Sequence, residues 1–236
     1  QRQMCIRDRE KWTSCSEIGH VLETKDHVTI CVESKERTWE LMIYPVVGGF
    51  RMISGKKGFF DGQPEAFSVE ESEHAYIIRS KEHEMILQKE TLEISIDRKA
   101  ITNLKNISFI FEKESVSASR IQFSIHENSA IYGFGERFDS VNQYGKTVAL
   151  WQRDACEGCL ASIGNQAYKN IPLVHTSDGF SFFANTSYRM RMDVGDAVQD
   201  YLSVEALGDV FDFYIWSGTP REAMTAYGTL TGLPIF

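Results

Sequence analysis

The chain has 236 residues, with 33 acidic side chains against 25 basic ones, and a formal net charge of -8 at neutral pH. That balance excludes a nucleic-acid surface, which needs clustered Lys and Arg to meet phosphates. No apolar run reaches transmembrane length and nothing at the start resembles a secretory signal, so a cytoplasmic location is the expectation. Hydrophobic residues make up 42% of the chain, and 15 Phe and 9 Tyr supply bulky packing material. This is enough for one large all-β unit or two small domains.

In chain order, Met4-Cys5-Ile6-Arg7-Asp8-Arg9 resembles the translation of a transposase-type sequencing adapter, and residues 1–9 are set aside from the fold. Period-two alternation begins soon after. Val28, Ile30 and Val32 form one row against Thr29, Cys31 and Glu33, and Cys31 reads as a buried free thiol. Gly48-Gly49, Gly55 and Asp61-Gly62 punctuate the next stretch as turns. Leu92, Ile94 and Ile96 make a second apolar row, and Ile121, Phe123 and Ile125 a third. Cys156-Glu157-Gly158-Cys159 has paired-cysteine spacing but no second ligand pair, so two reduced thiols in a loop are expected, without zinc. Ser177-Asp178-Gly179 marks another turn. Tyr188, Met190, Met192 and Val194 then share one face, and so do Phe211, Phe213 and Ile215, with Asp212 and Tyr214 opposite. Many strands with little helix between them predict stacked antiparallel sheets, an all-β sandwich over residues 10–218.

One helix is signalled. Thr219-Pro220-Arg221-Glu222 reads as a capping box with proline at the first helical position. Ala223, Ala226, Tyr227 and Leu230 follow at helical spacing, and Gly232 can close the end. Residues 219–236 therefore read as a helix and the start of a connection. The apolar segment Leu233-Pro234-Ile235-Phe236 gives the sequence an interrupted look.

The stretch from Ile131 to Ala155 departs from this regularity. It crowds Gly133-Phe134-Gly135, Glu136-Arg137 and Trp151-Gln152-Arg153-Asp154 into a short span. "YGFGERF" (Tyr132–Phe138), "YGKTVALWQRDA" (Tyr144–Ala155), "QAYKNIPL" (Gln166–Leu173) and "DGFSFFANTSYRMRMDVG" (Asp178–Gly195) occur in that order. Together they resemble the N-terminal β-sandwich of glycoside hydrolase family 31, in its α-xylosidase and α-glucosidase branch. "SGTPREAMTAYGTLTGLP" (Ser217–Pro234) is similar to the connection into that family's catalytic barrel, and "ERTWELMIYPVVGGFRM" (Glu36–Met52) is a weaker match to its early strands. One departure is Leu233, where the family commonly has Arg.

The resemblance implies a galactose-mutarotase-like supersandwich whose C-terminal helix leads toward a (β/α)8 barrel absent from this sequence. It implies a retaining mechanism in the parent enzyme on α-xylosides or α-glucosides, with both catalytic aspartates in the barrel and no metal or organic cofactor. No residue of this chain inherits a catalytic role. The loop around Trp151–Ala161 is expected to lean over the barrel mouth on the aglycone side, with Asp154 as the hydroxyl contact and Arg153 and Trp151 as supports. The implied partners are an oligosaccharide or α-glycoside substrate and the barrel of the same polypeptide, with oligomer contacts as a further role. Against these stand structural readings: Trp151 packing at an interface, an Arg153–Asp154 ion pair, and Glu136–Arg137 as a partly buried pair at the sandwich edge. Asn170 is suited to bonding loop backbone, and Pro172 to interrupting strand pairing. A stand-alone carbohydrate-binding or mutarotase-like module is the alternative. A mutarotase needs a positioned His and carboxylate on a sheet face, for which His126 and His175 are the nearest candidates. Exposed apolar surface around Trp151 and Leu233 predicts poor solubility of the isolated chain.

Overall fold

The structure, a computed structural model, describes residues 12–152 and 167–233. Among these it has 18 strands and one helix. All strand pairs are antiparallel, and they form one ten-stranded and one eight-stranded sheet. The eight-stranded sheet runs from the edge strand Ile131–Gly135 through Asn170–Thr176, Phe180–Ala184 and Val210–Ser217. It continues through Gly49–Gly55, Thr38–Val46 and Val28–Glu33 to Glu17–Glu23. The ten-stranded sheet has Lys146–Leu150 at one edge, followed by Met190–Val194, Tyr201–Leu207, Ser115–Ser124 and the long strand Lys99–Glu112. A meander of four short strands from Glu93–Ile96 back to Ser68–Glu71 follows, and Thr13–Ser14, paired with Lys99–Glu112, is the tenth strand.

The apolar rows read from the sequence are the inner faces of this sandwich. Val28, Ile30, Val32, Leu92, Ile94, Ile96, Ile121, Phe123, Met190, Met192, Val194, Phe211, Phe213 and Ile215 are all buried in one core. Phe123 stacks on Phe182 at 4.4 Å and meets Phe213 edge-on at 6.2 Å, so rings from the two sheets interlock. Cys31 differs from expectation. It lies half-buried on the outward face with Thr29, as its own alternation dictates, and the buried thiol is Cys15 instead. Cys156 and Cys159 lie outside the described residues.

A second, smaller core covers the outer face of the eight-stranded sheet. Tyr44, Val46, Ile53, Leu173, Phe183, Tyr214 and Trp216 are buried there beneath the helix Pro220–Thr231, which contributes Ala223 and Ala226. The helix start is as read: Thr219 accepts from the Glu222 backbone, and the Glu222 carboxylate accepts from the Thr219 N–H at 2.7 Å. Gly232 follows the last turn with φ 89° and donates to the Gly228 carbonyl. Among the described residues no helix is long and apolar enough to cross a membrane.

Candidate functional site

The Gly133-Phe134-Gly135 stretch is a break in strand register. Pairing with Asn170–Thr176 shifts between Gly133↔Val174 and Gly135↔Asn170, and all three residues have positive φ. A Cβ on Gly133 would overlap the Leu173 carbonyl oxygen, and one on Gly135 the Lys169 carbonyl oxygen. Phe134, by contrast, is driven into the left-handed region so that its ring can plug the core. Pro172 falls inside the skipped segment, where its missing N–H costs no ladder bond.

Arg137 then ties the break together. Its Nη2 donates to the Phe134 carbonyl at 3.1 Å and to Asn170 Oδ1 at 2.8 Å, while Asn170 Nδ2 donates to the Ala167 carbonyl. Burial holds this guanidinium below its ordinary pKa. The bonding role read for Asn170 is thus observed. The Glu136 backbone N–H is held by the Lys169 carbonyl, and the partners of Arg137 include the Phe134 carbonyl and Asn170. Asp139 accepts from Lys146 and Gln143, each at 2.8 Å, which anchors a turn.

These contacts fix the start of Asn170–Thr176 as one wall of a cleft of about 480 Å³. Trp151 and Gln152, leaving the edge strand Lys146–Leu150, form a second wall. Residues 185–188, passing from the eight-stranded to the ten-stranded sheet, form a third, and Phe59–Phe60 a fourth. Phe183 and Tyr227, in edge-on contact at 5.2 Å, also line it. Trp151 is 51% exposed, so of the three predicted site residues this one reaches a cleft. Arg153 and Asp154 lie outside the described residues.

Beneath the Phe59 wall is a buried polar hub. Arg51 meets Asp212 through two bonds, Nε to Oδ1 at 2.9 Å and Nη2 to Oδ2 at 2.7 Å, with both side chains out of solvent. Burial works against the guanidinium charge, but the hydrogen bonds and charge of Asp212 outweigh it and hold the Arg51 pKa above its ordinary value. Asp212 Oδ2 also accepts from the Gly58 N–H and from Asn185 Nδ2. Asn185 further grips both backbone groups of Phe60, and the Tyr214 hydroxyl accepts from the Gly62 N–H and donates to the Phe60 carbonyl. Burial pushes the Tyr214 phenol up to about 12. The irregular segment 56–62 is thereby fastened across the sheet by side chains alone. Arg51 also contacts Asp61, an ion pair that lowers the pKa of that carboxyl.

None of this hub was assigned from the sequence, though a signal existed: Arg51 and Asp212 each interrupt a strongly apolar strand. Tyr188 was grouped with the core row of Met190. It lies before that strand, 41% exposed, and lines the cleft. Phe59 and Asn185 were also missed as cleft residues.

The described cleft lining contains aromatic rings, amides and hydroxyls, with no Asp, Glu, His, Lys or Arg. The His–carboxylate contacts His83–Asp97, His126–Asp178 and His74–Glu73 belong to turns outside it, and His175 bonds Ser181. Among the described residues no group of three or more His, Cys, Asp or Glu side chains could hold a metal ion.

This arrangement can be set beside known proteins. The glycosyl hydrolase 31 N-terminal galactose mutarotase-like domain matches residues 27–193. The chain belongs to that family. An α-xylosidase, XylQ, of Lactiplantibacillus pentosus is 34% identical over 118 residues, which is 50% of this chain and 15% of that protein. Alpha-glucosidase 2 of Bacillus thermoamyloliquefaciens is 24% identical over 173 residues, 70% of this chain and 21% of its own length. This member of the family thus spans a small fraction of the relatives it matches. Among solved structures, a family 31 α-xylosidase from a soil metagenome, complexed with xylose, superposes with TM-score 0.71 at 16% identity, covering 91% of this chain and 35% of that one. The cycloalternan-forming enzyme of Listeria monocytogenes gives 0.76 at 18%, covering 88% and 21%. At such identities these likenesses establish the sandwich.

Proposed function

We propose that this domain is the non-catalytic N-terminal sandwich of a retaining α-glycosidase acting on α-xylosides or α-glucosides, and that its Trp151 loop walls the aglycone side of the active site. The observation that carries this reading is the chemistry of the cleft. Aromatic faces receive the C–H surface of a sugar and amides bond its hydroxyls, but glycoside hydrolysis needs two carboxyl groups about 5–10 Å apart. Such a pair is absent from the described lining. In a retaining enzyme one carboxylate attacks the anomeric carbon while the other, as an acid, protonates the leaving oxygen. The second then takes a proton from the water that releases the sugar. Under this proposal both groups come from the catalytic barrel of the longer polypeptide, and the sandwich supplies stability and one wall. Family membership and the names of the matched relatives support it.

Two assays test the reading. The 236-residue chain should release no aryl alcohol from aryl α-xylosides or α-glucosides; turnover above background by the chain alone would end the proposal. In the polypeptide that joins this domain to its barrel, Asp154→Ala should raise KM for short substrates several-fold with little change in melting temperature. An unchanged KM with a large loss of stability would make Asp154 a structural residue.

A further inference from the structure

We infer that Phe59 and Tyr188, together with Trp151, form a preset aromatic platform that binds a neutral oligosaccharide, an α-linked gluco- or xylo-oligomer, in the cleft without help from another domain. This rests on the carbohydrate reading of that cleft and extends it to residues and an activity of the sandwich itself.

Three large rings line this one cleft and remain open to solvent, with Phe59 70% exposed. A ring left in water is ordinarily turned inward unless its backbone forbids it. Here the backbone does. Gly58 is held by Asp212 and Phe60 by Asn185 on either side of Phe59, and a Cβ on Gly58 would overlap the Asn185 carbonyl oxygen. Tyr188 is fixed as firmly: its hydroxyl donates to Asp209 Oδ1 at 3.1 Å, its N–H to Thr186 Oγ1 at 3.2 Å, and its ring packs on Gly208, where a Cβ would overlap it. Platforms held this way lose little freedom when a ligand arrives.

The polar part of the lining points to the ligand class. Gln152, Thr186 and Ser187 offer amide and hydroxyl groups, and no described lining residue carries a charge. These groups suit a ligand with many hydroxyls. The volume of about 480 Å³ lies within the range of small-molecule sites.

The test uses the 236-residue chain, with isomaltotriose and isoprimeverose titrated by saturation-transfer NMR. Binding with a Kd of order millimolar is expected. Phe59→Ala and Tyr188→Ala should each weaken it by roughly tenfold, the scale of one lost aromatic contact. Tyr188→Phe should keep most of it, and Phe138→Ala, an exposed ring that does not line the cleft, should leave it unchanged. Thermal melts of each variant separate lost binding from lost fold, and the exposure of Phe59 makes its variant the safest. Equal binding by wild type, Phe59→Ala and Tyr188→Ala overturns the inference. So does the absence of any saccharide binding by the wild type, which would mark the aromatic rim as a surface for protein. That second outcome leaves the reading of a wall beside a catalytic barrel untouched, since its KM test is separate.

Discussion

Removing one side of the Arg51–Asp212 pair would leave a full charge where water does not reach. Asp212 has four hydrogen-bond donors around it, two from Arg51 and one each from Gly58 and Asn185. Asp212→Leu should therefore cost about 3–5 kcal/mol, read as a lower midpoint in urea unfolding. The double variant Arg51→Met, Asp212→Leu should recover a large part of that loss, because no unpaired charge remains. Equal losses in the single and double variants would show that segment 56–62, not the charge, dominates. At this scale the sequence was legible where water decides and illegible where another segment decides. Alternation marked Phe211, Phe213 and Ile215 as one face because one side of a strand must leave water. It also set Asp212 and Tyr214 on the other face correctly. That this second face is buried too depends on residues 56–62 and the helix folding back over it, which no local pattern announces.

The helix Pro220–Thr231 was readable from its first four residues because a capping box is a local device. The cleft was not, because its walls come from elements far apart in sequence. Phe59 sits in a Gly- and Lys-rich segment that reads only as a turn, and Tyr188 mimics the alternation of the strand after it. For the helix, Thr219→Ala should lower stability by about 1 kcal/mol, measured by denaturant unfolding. The cap also carries a pH signature. The Thr219 N–H and hydroxyl hold the Glu222 carboxyl below its ordinary pKa of 4.5. A depressed folded value means the unfolded chain takes up the proton first. The contribution is thus present above pH 4.5 and is lost as pH falls through the folded value. Glu222→Gln should flatten stability in that window. An unchanged acid limb would show that the carboxylate is not what holds the cap.

At the scale of the whole molecule, the shifted carboxylic acids and histidines among the described residues act with one sign. Burial depresses the pKa of His27 and His175 from 6.5, so each is kept neutral in the fold. Asp97 and Asp139 are raised by burial but lowered more by hydrogen bonds, from His83 and Glu84 in one case and from Lys146 and Gln143 in the other, and both end below 3.8. Every one of these groups binds its proton more readily when the chain unfolds. Stability should rise from acid to neutral pH, with a shallow loss beginning below pH 6.5 and a steeper one below pH 3.8. Thermal melts at a series of pH values check this, and His175→Gln should reduce the shallow part. A melting temperature that peaks near pH 5 would contradict the assignment of neutral, half-buried histidines.

The strand order also sets a timetable for synthesis. Gly49–Gly55 finds its second neighbour only in Val210–Ser217, and Arg51 and Asp212 are 161 residues apart in the chain. At ribosomal speeds of about 5–20 residues per second, a nascent strand bearing Phe50 and Met52 waits roughly 8–30 s with an open edge. Unpaired apolar strands are where nascent chains adhere to one another, and a charge in the middle of such a strand discourages that. Arg51 puts a charge in the middle of that strand, and in the closed sheet Asp212 neutralises it. A cation at this position is thus polar while the edge is open, as gatekeeper residues are, and half of an interior ion pair once the sheet is complete.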